Sequence, residues 1–327
     1  MIYGLLRWIT GIALHWFYND IRMTGAERIP VSDPLLIAVN HQNALVDSLI
    51  VGWLVPRRIT MTAKATLADN PLIAILFRML HVVPLRRVSD EVVKQKGLPI
   101  DRARNAQAFA EIFKLLERNG ALLIFPEGKS HNEVGLEPLK TGLARVALQA
   151  RDECGITGLR ILPLGLVFED KGTPGTAVTA HIGAILEMDS WRGTDHTILT
   201  QEIADRLRAV SEDAALPRKE FIRAEENSDN LRERIIALAA WWGRLTHELP
   251  VRMARSMAVK RSTDADQPAM FTIIFGVGLV LLTYIVHLTI IGMVVHSFLF
   301  DCLYLAGLLS GAYWAAFQQH PRRYLKR

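Results

Sequence analysis

Cysteine is nearly absent: Cys154 and Cys302 are the two in 327 residues, far apart, and the second lies in an apolar run. That usage excludes a disulfide framework and a cysteine-built metal site, and it fits a reducing compartment. A Gly-x-Ser-x-Gly elbow is missing and neither cysteine has an evident activating neighbour, which argues against nucleophilic catalysis through a covalent intermediate. There is no metal-ligand spacing, internal repeat or low-complexity tract. Charge of one sign is scarce too. Lys and Arg total 38 against 33 Asp and Glu, a net +5, and the soluble part holds no dense basic tract. So modest an excess suits an anionic membrane surface or an anionic substrate better than nucleic acid. The apolar first twenty residues are followed by no small-residue cleavage site, so a retained segment is expected there instead of a removed signal peptide.

What is plentiful is apolar surface, with half the residues hydrophobic. In residues 1–20, Ile2, Leu5, Leu6, Ile9, Ile12, Ala13, Trp16 and Phe17 recur at helical spacing and leave Arg7, Thr10 and His15 off the stripe, which predicts an amphipathic membrane-associating helix. Over residues 21–195, short continuous apolar runs at 35–39, 121–125 and 161–168 read as buried strands. The third holds Pro163 and Gly165 and is expected to be irregular. Helical patterns lie between the runs, notably Ala103 to Glu117 with a stop at Gly120. Strands alternating with helices predict an α/β domain with a mixed sheet flanked by helices. Residues 196–265 read as a charged helical extension, broken near Pro217 and again at Pro250. Residues 266–320 are almost wholly apolar, enough for two membrane crossings of about 20 residues each. Their turn is expected near Gly292 to Ser297, because Asp301 would cost about 2.5–3.5 kcal/mol at a bilayer centre. Basic residues before this hairpin, and the basic tail 321–327 after it, place both flanks on the cytoplasmic side.

Three segments carry candidate chemistry. In Asn40-His41-Gln42-Asn43-Ala44-Leu45-Val46-Asp47, at a strand end, a carboxylate can hold one imidazole N–H and leave the other nitrogen to take a proton. The same pair can equally cap a helix. Phe125-Pro126-Glu127-Gly128-Lys129-Ser130-His131 combines a carboxylate, a permissive glycine, a cation and a hydroxyl, suited to a polar headgroup or to a plain surface turn. Val82-Val83-Pro84-Leu85-Arg86-Arg87 offers two guanidinium groups, which bind phosphate bidentately when they are not simply solvated.

In this order and at these intervals the segments resemble the glycerophosphate and lysophosphatidate acyltransferase superfamily. The likeness runs over residues 24–170, from Gly25-Ala26-Glu27-Arg28-Ile29-Pro30 to Ile161-Leu162-Pro163-Leu164-Gly165. It implies that His41 is a general base oriented by Asp47, that Arg86 or Arg87 binds the glycerophosphate with Glu127, Gly128, Lys129 and Ser130, and that Pro163 shapes the acyl or acceptor pocket. It further implies a membrane-bound enzyme that moves an acyl group from coenzyme A or acyl carrier protein, as co-substrate and without a cofactor, to glycerol 3-phosphate or lysophosphatidate. The expected partners are membrane lipids and the thioester donor, with no nucleic acid. The expected location is the inner membrane, with the catalytic domain on its cytoplasmic face. An acyltransferase with a phosphate-free lipid acceptor and a non-catalytic lipid-binding membrane protein are the alternatives. Two departures stand out. Five residues separate His41 from Asp47 where the common box has four, a spacing shared with a branch that includes glycerol-3-phosphate acyltransferases. After Phe-Pro-Glu-Gly the chain reads Lys129-Ser130-His131 where Thr-Arg-Ser is common.

Overall fold

In a computed structural model, which describes residues 2–65, 69, 82–85, 106–131, 135–212, 231–262 and 267–318, the three apolar runs become adjacent strands. Leu35–Val39 (β2) is buried along its whole length and pairs in parallel with Ala121–Ile124 (β5) on one side and Arg160–Phe168 (β6) on the other. With Asp20–Thr24 (β1), Ile59–Lys64 (β3), Val83–Leu85 (β4) and Ala177–Ile182 (β7), the strand order is β1-β7-β6-β2-β5-β3-β4. Leu186–Glu187 (β8) joins the edge of β6. Strands β7 and β8 run antiparallel to β6 while the other pairs are parallel, so the sheet is mixed.

Successive strand residues face opposite sides, which is why continuous apolar runs need cover on both. Leu35, Ile37 and Val39 point to one face, where they meet Leu14 and Phe17 of helix Ile2–Phe17 (α1) and Val46 and Ile50 of helix Ala44–Leu54 (α2). Leu36 and Ala38 point to the other, packing with helices Ala106–Glu117 (α3), Gly142–Asp152 (α4) and His196–Ser211 (α5). Strand β6 is a regular nine-residue strand despite Pro163 and Gly165. Pro163 falls between the partners of β8, which pairs residues 160–161, and those of β7, which begin at Leu164, so the missing N–H costs no bond on that side. Gly165 admits α5: a Cβ there would overlap the Val210 carbonyl oxygen.

The polar positions of α1 face the domain instead of water. The Arg7 guanidinium donates to the Trp53 carbonyl at 2.8 and 3.0 Å, and the His15 ring, buried, meets the Gly11 carbonyl at 2.8 Å. Each buried polar group is satisfied by a backbone oxygen, which makes its burial tolerable. After α5, helix Leu231–Arg261 (α6) runs 31 residues without the break expected at Pro250. An interior proline costs a helix about 3 kcal/mol, and here it is buried on the face that packs against the two helices that follow. Those are Pro268–Val295 (α7) and Phe298–Gln318 (α8), with the turn at His296 and Ser297. By length and composition both can cross a membrane. Between α1, α6 and α7 lies an apolar cavity of about 250 Å³ walled by side chains such as Ile12, Trp16, Val251 and Ile273.

Candidate active site

At the end of β2 the apolar run stops at Asn40, whose side-chain amide donates to the Leu166 carbonyl at 2.9 Å and accepts from the Leu166 N–H at 2.7 Å. This reciprocal pair clips the chain to β6 just before His41. The segment then turns into α2 through Ala44, at a left-handed φ of 45°. Asp47, in the first turn of α2 and wholly buried, points back: its Oδ2 accepts from the N–H groups of Gln42 at 2.9 Å and Asn43 at 2.8 Å, and meets His41 Nδ1 at 3.0 Å. A carboxylate is favourable beside those N–H groups at a helix N-terminus. Because it can only accept there, Nδ1 carries the ring proton and Nε2 holds the lone pair. The His41 ring, 12% exposed, stacks on Phe125 with centroids 3.9 Å apart. An oriented imidazole with its far nitrogen free of the carboxylate can take a proton from a bound hydroxyl.

The turn after β5 holds this loop in place. Gly128, at φ 82°, closes it with its N–H on the Phe125 carbonyl at 3.1 Å, a conformation that favours glycine. Glu127 is buried, and both its oxygens are engaged: Oε1 accepts from the His41 backbone N–H at 2.6 Å, and Oε2 accepts from the Glu137 N–H at 2.8 Å and pairs with His131 Nε2. The His131 N–H in turn donates to the His41 carbonyl at 3.2 Å. Ser130 Oγ accepts from the Ala44 N–H at 3.0 Å, capping α2 from a different loop. Lys129 is exposed and paired with Glu137 at 3.0 Å.

The sequence reading put Glu127 and Ser130 among substrate-binding groups; the structure turns both inward, onto the backbone that carries His41. Pro163 sits inside β6, opposite Ala38 and packed toward Gly183, one residue short of the end of β2. Arg86 and Arg87 lie outside the described residues, so what the structure brings together is His41, Asp47 and the Glu127–His131 turn.

One positioning residue escaped the sequence reading. Lys171, past the end of β6, donates from Nζ to the Gln42 carbonyl at 2.7 Å and the His131 carbonyl at 3.0 Å, joining the two loops. Its own carbonyl accepts from Tyr18 Oη at 3.0 Å and Asn43 Nδ2 at 3.1 Å. Burial, and then the charge of Asp47, raises the Tyr18 hydroxyl well above the usual tyrosine range, so it keeps the proton it donates. Asn40 was legible as the polar residue ending a buried strand, but Lys171 is 129 residues from Gln42 in a turn rich in glycine and threonine, with no local signal. Among the described residues no group of three His, Cys, Asp or Glu side chains is placed to hold a metal.

Residues 20–167 match a family model described as Acyltransferase. The chain is 29% identical over 148 residues to the 1-acyl-sn-glycerol-3-phosphate acyltransferase of Cocos nucifera, covering 44% of this chain and 42% of that one. It is 22% identical over 243 residues to glycerol-3-phosphate O-acyltransferase 1 of Saccharomyces cerevisiae, covering 51% and 32%. A solved structure, the 1-acyl-sn-glycerophosphate acyltransferase of Thermotoga maritima, is similar with 21% identity and a TM-score of 0.44, covering 58% of this chain and 70% of that one. The chain thus spans less than half the length of these two curated relatives.

Proposed function

We propose that the chain, which a family model described as Acyltransferase matches over residues 20–167 and which is similar to 1-acyl-sn-glycerol-3-phosphate and glycerol-3-phosphate acyltransferases, transfers a fatty acyl group from a thioester to a hydroxyl of glycerol 3-phosphate or lysophosphatidate. The observation that carries this reading is the His41–Asp47 contact, with the ring oriented by Phe125 at the mouth of the sheet. His41 Nε2 takes the proton of the acceptor hydroxyl as its oxygen attacks the thioester carbonyl carbon. The tetrahedral adduct collapses with cleavage of the carbon–sulfur bond, and the departing thiolate recovers the proton from the imidazolium. General-base help of this kind contributes about 10² to 10⁴ in rate. The donor is acyl-coenzyme A or an acyl carrier protein, and no cofactor takes part.

In this reading Arg86, Arg87, Lys129 and the Gly128 turn are the phosphate contacts, Lys129 being exposed beside Glu137. The hairpin α7–α8 holds the domain to the inner membrane with His41 on the cytoplasmic side, where a soluble thioester and a lipid acceptor both reach it. Support for the membrane comes from the length and composition of the two helices; the flanking basic residues support the orientation. Purified protein given one labelled acyl thioester and a panel of acceptors tests the reading. Product is expected with glycerol 3-phosphate or lysophosphatidate. Product with phosphate-free lipids alone would move the acceptor class, and an unconsumed thioester with every acceptor would leave a lipid-binding protein.

A further inference from the structure

The charges of α6 suggest a water-facing extension, yet its circumference divides into three sectors. One is buried against α7 and α8 and is built largely of small residues, Ala240, Gly243, Ala254 and Ala258. The approach is close: a Cβ on Gly243 would overlap the Gly311 carbonyl of α8. Small residues that let backbones touch are the usual means of packing helices in lipid, where burying apolar side chains gains nothing. A second, narrower sector carries Arg244 and Glu248, the latter paired with Arg252 at 2.6 Å. The third carries Ile235, Leu238, Trp241, Leu245, Leu249 and Met253 at spacings of three and four, each between 47% and 69% exposed. At 100° per residue they occupy a sector about 120° wide, and at 1.5 Å per residue they extend about 27 Å.

So long a row of large apolar side chains is not what a water-facing helix presents. The helices α6 packs on show what covers it: α7 exposes Ile274, Leu281, Leu282 and Ile285 in the same manner, on a helix able to cross a bilayer. We propose that helix 231–261 is a third membrane-contacting helix, its Ile235–Met253 row seated in lipid hydrocarbon beside the hairpin, with Arg234 and Arg252 at the two ends of the row and Arg244 on the adjoining face reaching headgroups and water. Arginine stems suit that boundary, since the chain lies along apolar surface while the guanidinium reaches the polar phase. The inference rests on the membrane reading of the hairpin, and the test separates the two.

The full chain, with Cys154→Ser and Cys302→Ser, is reconstituted in vesicles of phosphatidylcholine and phosphatidylglycerol and carries one nitroxide at a time, through Leu245→Cys, Leu249→Cys, Arg244→Cys or Leu282→Cys. Collision with oxygen, which concentrates in hydrocarbon, is compared with collision with a water-soluble nickel complex. The expected result is a several-fold higher oxygen-to-nickel ratio at 245 and 249 than at 244, matching that at 282. Nickel access at 245 and 249 equal to that at 244, with 282 still oxygen-favoured, overturns this inference alone. Nickel access at 282 as well overturns the membrane reading and this inference with it. Spin–spin broadening between copies at 245 or 249 assigns the row to a second chain instead and also overturns the proposal.

Discussion

At the scale of single residues, the site is one imidazole whose surroundings do little except aim it. Asp47 fixes the tautomer, Phe125 the plane, and Glu127, His131 and Lys171 the backbone on which the ring hangs. Glu127→Gln keeps the size but sets an amide N–H against a backbone donor. A buried donor left unpaired costs about 1–3 kcal/mol, so this variant is expected to melt earlier and turn over more slowly with an unchanged acceptor KM. A rise in that KM alone, at wild-type stability, would return Glu127 to the ligand. Lys171→Met removes the bridge between two loops, and displacing a catalytic group by about 1 Å can cost about 10²-fold. Turnover is expected to fall by about that factor with both KM values nearly constant, and Lys171→Arg is expected to recover much of it. Equal loss in the two variants would show that bridging is not what Lys171 supplies. His41 and Asp47 were legible as a pair because both sit where a buried strand gives way to a helix. The inward turn of Glu127 was not, since the His41 peptide group that its Oε1 binds lies 86 residues away.

At the scale of elements, the central strands follow from composition alone. Leu35–Val39 and Ala121–Ile124 are apolar at every position, and such runs settle only between two covering layers. Proline misled twice, for different reasons. Pro163 is harmless because the edge of β6 changes partner at that point. Pro250 is accommodated because the helix around it is held by packing that an isolated segment lacks. The polar side of α1 was legible as a stripe, but not its direction: backbone carbonyls of Trp53 and Gly11 receive it, and nothing in residues 1–20 encodes the first of them. The contact of Gly243 with Gly311 carries a prediction at this scale. Gly243→Leu is expected to pry α6 from α8, so that limited proteolysis cuts within 231–261 while the α/β domain stays intact. Resistance equal to the wild type would mean that the two helices are not held by that close approach.

At the scale of the whole molecule, residues 20–167 supply the sheet end with His41, and the described elements after residue 230 are all helices, two of them long and apolar enough to cross a membrane. A soluble thioester and a bilayer acceptor differ in phase, and an enzyme that joins them is served by a reactive group held at the boundary on a rigid sheet. In the proposed reaction both substrates meet at one nitrogen, Nε2 of His41. The measurement that tests it most directly is acyl transfer by His41→Ala against wild type, in the same vesicles and at equal protein, with thermal unfolding followed in parallel. Turnover is predicted to fall by at least about 10²-fold while unfolding and membrane retention stay as they were; turnover within about twofold of wild type, where a lost general base must cost far more, would contradict the assignment of His41.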